Sequence, residues 1–177
     1  MYISPHLKDF RERIQINGKY IDKEYVVEFV KDHCSHFDSH SLSFFEMTVG
    51  MAFSYFSDKE VDFAIIEVGM GGRLDSTNII SPLLSIITNI SIDHTKFLGT
   101  KISQIAFEKA GIIKQNTPVV IGEYNNETKE IFKFNAKQMN ASIYFANQID
   151  NIDFNCDLKG KYQVKNINTT LNTLKIL

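Results

Sequence analysis

Three loops of this 177-residue chain contain most of its candidate catalytic and ligand-binding residues. They are 67–78, 89–95 and 122–125, and each follows a short apolar run that predicts a strand. In an open α/β sheet, ligands bind outside the carboxyl ends of the strands. We therefore expect the reactive side chains in these loops, most of them in the first two.

Glu67 is the most informative residue of the first loop. It is the last residue but one of the otherwise apolar run Val61–Val68, where burying an unpaired carboxylate would be costly. It therefore needs either a cation, such as Mg²⁺, or hydrogen-bond donors from an arginine or from backbone amides. The residues alone leave both interpretations open.

A glycine-rich stretch, Gly69–Gly72, begins two residues after Glu67. Glycine lets the backbone approach a ligand closely, although a simple turn would use the same residues. No Gly-Lys-Ser/Thr follows, so the stretch is not a Walker-type phosphate loop. Arg73 and Asp75 could bind and orient an anion, or could pair with each other.

The second loop contains Asp93 and His94, just past the next predicted strand. A structural role and a ligand role are both open for this histidine. Mg²⁺ prefers oxygen ligands to imidazole. Residue chemistry alone therefore suggests Zn²⁺ or acid–base work at His94.

Other residues with reactive side chains have simpler interpretations. Lys109, near the end of a predicted helix, is interpreted as a solvated lysine close to a helix C-terminus. Cys34 and Cys156 make neither a disulfide framework nor a C-x-x-C motif, so two reduced thiols are expected. Three histidines fit no compact metal-ligand spacing and are assigned to the surface: His33, His36 and His40.

Charge and composition narrow the class of protein. With 19 basic and 21 acidic residues, the formal net charge is -2, which excludes a strongly basic nucleic-acid binder held by non-specific electrostatics. The apolar runs are too short for a membrane span, and the amino terminus lacks the pattern of a signal peptide. We expect a cytoplasmic protein with no nucleic-acid or membrane partner.

Predicted strands and helices alternate along the chain and flank these loops. Apolar runs predict strands over 61–68, 83–89, 117–122 and 142–145. Amphipathic patterns predict helices over 22–36, 43–56, 103–110, 127–139 and 165–177. Asp22 and Ser43 are the predicted N-caps, Glu46 would complete a capping box, and Gly111 is a predicted C-terminal stop. We therefore predict an α/β fold with a mainly parallel sheet and flanking helices.

Both ends of the sequence have the character of interrupted elements. Met1–Ser4 is typical of the end of a strand, and the helix predicted over 165–177 has no C-cap residue. Compact domains rarely begin and end inside an element. We expect residues 1–177 to be a single truncated domain from a longer protein, and we expect exposed sheet edges to promote self-association.

Taken in order, these motifs resemble those of the folylpolyglutamate synthases and dihydrofolate synthases of the Mur ligase superfamily. The segment Glu67–Asn78 is similar to the most diagnostic signature of that family. The other matching segments are Ser4–Leu7, Arg11–Gly18, Asp93–His94, Leu98–Gly99, Glu108–Ile112 and Gly160–Asn166. The resemblance runs over nearly the whole chain.

The resemblance implies an ATP-dependent ligase that adds L-glutamate to folate or dihydropteroate through an acyl phosphate, with Mg²⁺ as cofactor and ATP as substrate. Ser4, Glu67 and His94 match the Mg²⁺ ligands of the family, and His94 and Lys109 match catalytic positions. Lys109 matches a lysine that is carbamylated (N6-carboxylysine), and Asn166 matches an asparagine of the ATP site. The residues that match pteroate-binding segments are Ser43, Phe44, Phe45, Glu46, Leu74, Asp75 and Ser76.

One family motif is missing from this sequence. The phosphate-binding loop Gly-Lys-Gly-Ser, which the resemblance places before Ser4, occurs nowhere in it, and neither does the glutamate-binding C-terminal domain. We therefore expect a truncated P-loop fold of the Mur ligase central domain that is inactive alone. Two alternatives stay open, a peptidoglycan-type Mur ligase and a non-catalytic remnant that acts as a binding or scaffold protein.

Overall fold

The computed structural model describes residues 1–92, 95–146 and 156–177. The chain divides into two compact units. The first unit is Met1–Met70 with Asp75–Ile79, and the second is Gly71–Leu74 with Ile80–Leu177. Each has its own apolar core. Among the described residues, no helix has the length and apolar character that crossing a membrane requires.

The first unit combines a small hairpin with two long helices. Its elements are a 3₁₀ helix Phe10–Arg13, antiparallel strands β1 Gln15–Ile16 and β2 Lys19–Tyr20, helices α1 Lys23–His40 and α2 Phe44–Asp58, and a 3₁₀ helix Ser76–Ile79. Its core consists of buried apolar side chains: Tyr2, Ile14, Ile21, Phe29, Val49, Met51, Ala52, Tyr55 and Phe56. The amphipathic patterns of both helices supply most of this core.

The segment 61–68 does not form the buried strand that its apolar sequence predicts. Within the described ranges it pairs through a single parallel bridge, between Ile66 and Tyr2. The pairing stops there because the N–H of Ser4, the next one that faces this segment, donates to the Glu67 carboxylate rather than to a backbone carbonyl. Phe63 and Ile65 are consequently 76% and 71% exposed. The prediction of a strand buried on both faces is therefore wrong in this chain.

The second unit is built on a parallel sheet. Strands β3 Ser85–Ile87, β4 Val119–Ile121 and β5 Ile143–Phe145 lie side by side in that order, with Ile86 opposite Val120 and Val120 opposite Tyr144. Its helices are α3 Thr95–Leu98, α4 Ile102–Ala110, α5 Asn126–Gln138 and α6 Gln163–Leu174. The α/β fold with a mainly parallel sheet and flanking helices is confirmed.

Asp22 and Gly111 flank the predicted helices, but neither ends its helix in the predicted way. Asp22 precedes α1, but its side chain makes no capping hydrogen bond. Gly111 follows α4 with a φ of −63°, so a left-handed stop is not its role. A Cβ at Gly111 would overlap the backbone and side chain of Arg73. The glycine is therefore required by close approach of the loop before Asp75.

Ser43 is the cap for which we predict a measurable loss of stability. Its Oγ accepts a hydrogen bond from the N–H of Glu46 at 3.2 Å, and the Glu46 carboxylate accepts from the N–H of Ser43 at 2.7 Å. Ser43→Ala should therefore lower the free energy of unfolding by about 1 kcal/mol in urea denaturation. Ser57→Ala, at an exposed position of the same helix, is the control and should change it by less than about 0.5 kcal/mol. Equal effects of the two changes would contradict the capping role.

Candidate metal and substrate site

The first unit brings together two of the predicted metal ligands, Ser4 and Glu67. They lie just beyond the bridge between Tyr2 and Ile66. The backbone N–H of Ser4 donates to Oε2 of Glu67 at 2.8 Å, across 63 residues of sequence. Glu67 is exposed, so the burial cost inferred from its apolar neighbours does not arise. The backbone amide supplies one of the donors that its sequence position suggested.

The chemistry of this pair fits a hard cation. Within the described part of the chain, Oε1 of Glu67 accepts no hydrogen bond and the Ser4 hydroxyl makes none. A carboxylate and a hydroxyl are oxygen donors, which Mg²⁺ prefers, and Mg²⁺ usually keeps several waters. Over the described ranges, no three His, Cys, Asp or Glu side chains gather as a metal site. The third predicted ligand, His94, lies outside those ranges, so its part in the site stays a prediction.

Asp75 organises the loop that follows Glu67. Its Oδ2 accepts from the N–H of Met70 at 2.9 Å, and its Oδ1 accepts from the N–H of Thr77 at 2.9 Å. Arg73 instead pairs with Glu108, Nη2 to Oε1 at 3.0 Å, and its backbone N–H donates to the Glu108 carbonyl. The suggested pairing of Arg73 with Asp75 is therefore wrong, because the turn amides already occupy the Asp75 carboxylate.

Two of the predicted pteroate-binding segments meet at Gly69. A Cβ added there would overlap the Phe45 ring and would lie 3.2 Å from Oδ2 of Asp75. The glycine therefore lets the start of α2 lie against the loop. Ser43 and Glu46 use their side chains in the capping box. Their contact with pteroate stays a prediction.

The remaining predicted pteroate residues differ in exposure. Phe44 is 53% exposed, with the Arg13 guanidinium 5.3 Å from its ring centroid. Leu74 is 80% exposed and belongs to the second unit. Ser76 begins the 3₁₀ helix Ser76–Ile79. An exposed aromatic ring and an exposed aliphatic side chain are suited to contacting a flat heterocycle.

The second unit holds the predicted nucleotide residue. Asn166, on α6, lines a cavity of about 440 Å³, together with Thr88 and Asn89 at the carboxyl end of β3. The Asn166 amide donates to Oε1 of Gln163 at 3.1 Å. Hydroxyl and amide groups at the end of a parallel strand form the kind of crevice in which such sheets bind ligands.

Lys109 lies half-buried in the last turn of α4, the helix that also carries Glu108. The sequence placed this lysine near a helix C-terminus, and the structure confirms that position. Its carbamylation and its grouping with Glu67 stay predictions.

Sequence reasoning assigned no role to Arg13 and Tyr2, which lie next to the Ser4 segment. Arg13 is 8% exposed, and its Nε donates to Nδ1 of His6 at 2.8 Å. In the described part of the chain it forms no ion pair. Burial raises the pKa of the Tyr2 hydroxyl, which has no hydrogen-bond partner there either. The sequence gives no sign that the Arg13 and Tyr2 side chains are buried, since their burial depends on the fold.

The turn after Ser4–Leu7 provides a pH prediction. Arg11 donates to Asp9, Nη2 to Oδ2 at 2.8 Å, and this hydrogen bond lowers the pKa of Asp9 to about 2. Because the folded-state pKa is lowered, the pair stabilises the fold above the unfolded pKa of about 3.9 and is lost as pH falls towards about 2. NMR titration of the Asp9 carboxyl should therefore give a midpoint near 2.

The matched variants for this titration are Arg11→Met and Lys8→Met. The first should raise the Asp9 midpoint part of the way towards about 3.9, since it removes the guanidinium donor but keeps the backbone N–H of residue 11, which also donates to Asp9. The second removes a nearby positive charge that makes no side-chain bond to Asp9 and should leave the midpoint in place. An unchanged midpoint in Arg11→Met would contradict the assignment of the shift to Arg11.

The comparisons with known proteins agree with this fold. The profile of the Mur ligase middle domain family matches residues 22–172. The chain therefore belongs to the Mur ligase middle domain family. Within that family it is 44% identical over 126 residues to a dihydrofolate synthase/folylpolyglutamate synthase of Haemophilus influenzae, a match that covers 71% of this chain and 28% of that protein. A Bacillus subtilis protein of the same name is 40% identical over 144 residues, covering 77% and 34%.

Solved structures show the same relationship over a greater share of the chain. The folylpolyglutamate synthase of Thermotoga maritima has a TM-score of 0.86 and 34% identity, covering 98% of this chain and 46% of that chain. A folylpolyglutamate synthase complex with AMPPCP and folate has a TM-score of 0.90 and 29% identity, covering 99% and 50%. The resemblance read from the motifs is confirmed. The chain spans about a third of the length of these curated relatives.

Proposed function

We propose that this chain is part of an ATP-dependent ligase that joins L-glutamate to folate or dihydropteroate. The observation that carries the proposal is the contact of Ser4 with Glu67 beside the glycine-rich loop. The relatives named as folylpolyglutamate and dihydrofolate synthases support the choice of substrates. They favour folate substrates over the peptidoglycan alternative.

The chemistry explains why such a reaction needs ATP. A carboxylate is a poor electrophile, so the γ-phosphoryl group of ATP is transferred to a substrate carboxylate oxygen, which releases ADP and forms an acyl phosphate. The amino nitrogen of glutamate then attacks the acyl carbon, phosphate leaves, and the nitrogen loses a proton to give the amide. A bound Mg²⁺ neutralises the crowded phosphate oxygens.

The roles of individual residues in this proposal follow their surroundings. Ser4, Glu67 and His94 would hold Mg²⁺. Among the described residues, the Ser4 hydroxyl and Oε1 of Glu67 have no hydrogen-bond partner, which leaves them for the metal. Lys109, as a carbamate, would add a negative group on α4. Asn166 would contact ATP from the cavity at the end of β3. The pteroate ring would bind against the residues of two segments: Ser43, Phe44, Phe45, Glu46, Leu74, Asp75 and Ser76.

We further propose that these 177 residues do not turn over ATP alone and that they self-associate. Support for inactivity is the lack of a Gly-Lys-Gly-Ser motif in the sequence, which would supply backbone N–H groups and a lysine to the phosphates. Support for self-association is the exposure of Phe63 and Ile65 on an apolar segment with one bridged neighbour. Light scattering that shows a monomer at high concentration would contradict the second proposal.

The experiment that tests the ligase proposal measures binding and turnover separately. Calorimetry with dihydropteroate should give saturable binding, weakened by Phe44→Ala and unchanged by Phe134→Ala, which removes a ring 61% exposed in the second unit. Phosphate release should be undetectable with Mg²⁺, ATP, dihydropteroate and glutamate all present. Glutamylated product would overturn inactivity, and absence of dihydropteroate binding would overturn the assignment as a folate ligase.

A further inference from the structure

Two histidines form a close pair near the end of α1. His36 and His40 are four residues apart, so the helix places them on one face, one turn above the other. Their ring centroids are 4.1 Å apart, with an angle of 35° between the ring planes. Both side chains are exposed, which confirms their assignment to the surface.

The hydrogen bonds of His40 prepare one ring nitrogen to act as a ligand. Its Nδ1 lies 3.0 Å from the carbonyl oxygen of His36 and 2.9 Å from the Ser39 hydroxyl oxygen. The carbonyl can only accept, so the tautomer that bonds it carries the proton on Nδ1. In the neutral ring the lone pair is then on Nε2. Metal-binding histidines are typically oriented in this way, with the second ring N–H donated to a carbonyl or carboxylate. Among the described residues, the His36 ring nitrogens have no hydrogen-bond partner.

We propose that His36 and His40 form a two-histidine site for one divalent transition-metal ion, of the Ni²⁺ or Zn²⁺ type, with water completing the coordination. An imidazole nitrogen about 2.0–2.1 Å from such an ion puts the ring centre about 3 Å away, so two adjacent ligands have centroids about 4–5 Å apart. The observed 4.1 Å needs only a small rotation of the side chains. Imidazole suits these metals and not Mg²⁺, so the pair differs in chemistry from Ser4 and Glu67.

His33 provides an internal control on the same helix. Its Nδ1 also bonds a carbonyl one turn earlier, that of Phe29 at 2.8 Å. Its ring stacks on Phe29, with the ring centroids 4.2 Å apart, and no histidine ring of the described ranges lies against it. A general effect of exposed histidines on α1 would therefore involve His33, whereas a chelating pair would not.

The test titrates the untagged chain with Zn²⁺, Ni²⁺ and Mn²⁺ by calorimetry. Cu²⁺ is avoided because Cys34 and Cys156 are exposed free thiols. We expect Ni²⁺ and Zn²⁺ to bind more tightly than Mn²⁺. His36→Gln and His40→Gln should each weaken Ni²⁺ binding at least about 10-fold, as expected for loss of chelation, and His33→Gln should leave it unchanged.

A second readout locates the ion independently of affinity. Adding Zn²⁺ should shift the ring proton signals of His36 and His40 in NMR spectra and leave those of His33 in place. Circular dichroism should show unchanged helix content in all three variants, since the side chains are exposed. Ni²⁺ binding that survives both His36→Gln and His40→Gln, or that His33→Gln weakens equally, would overturn the proposal.

Discussion

Replacing Phe132 with alanine should lower the free energy of unfolding of the second unit by about 3–5 kcal/mol. Phe132 lies on α5 with none of its surface exposed. It belongs to the core that includes Val119 and Ile121 of β4 and Ala136 of α5. Removing the ring therefore loses its burial and leaves a cavity that a packed sheet and helix can fill only in part.

Urea denaturation followed by circular dichroism measures this loss, and Phe134→Ala is its matched control. Phe134 lies two residues further along the same helix and is 61% exposed. The same change of side chain there should alter stability by no more than about 0.5 kcal/mol. A loss in Phe132→Ala as small as that in Phe134→Ala would mean that the α5–sheet core is not as described.

Glu67→Gln should weaken binding of a divalent cation at least about 10-fold, comparable with the loss on removing an important metal-site contact. Glutamine keeps a side-chain oxygen that can accept the N–H of Ser4, whose bond to Oε2 is 2.8 Å long. The variant therefore removes the charge and preserves the local hydrogen bond. Electron paramagnetic resonance with Mn²⁺, as a probe for the Mg²⁺ site, measures the free and bound ion.

Glu28→Gln is the control for charge, because Glu28 is an exposed carboxylate on α1. It should leave Mn²⁺ binding unchanged. Equal Mn²⁺ binding by the unaltered chain and by Glu67→Gln would show that Glu67 acts only as an acceptor for a backbone amide. That outcome would decide between the two interpretations of Glu67 that its sequence context left open.

Local features of this protein were determined by the sequence alone. The capping box of Ser43 and Glu46 was predictable because it involves residues three apart, within one helical turn. The parallel sheet of β3, β4 and β5 was also predictable, because short apolar runs alternate with amphipathic helical segments along the sequence. The order of the motifs along the sequence was sufficient to identify the family, since motif order can be compared without a structure.

Contacts between residues distant in the sequence could not be predicted and depend on the fold. It joined Ser4 to Glu67 across 63 positions and paired Arg73 with Glu108 rather than with Asp75. It also left Phe63 and Ile65 exposed in a run that reads as buried. A side chain's hydrophobicity expresses its tendency to be buried, but burial and pairing require a partner that chain topology brings within reach.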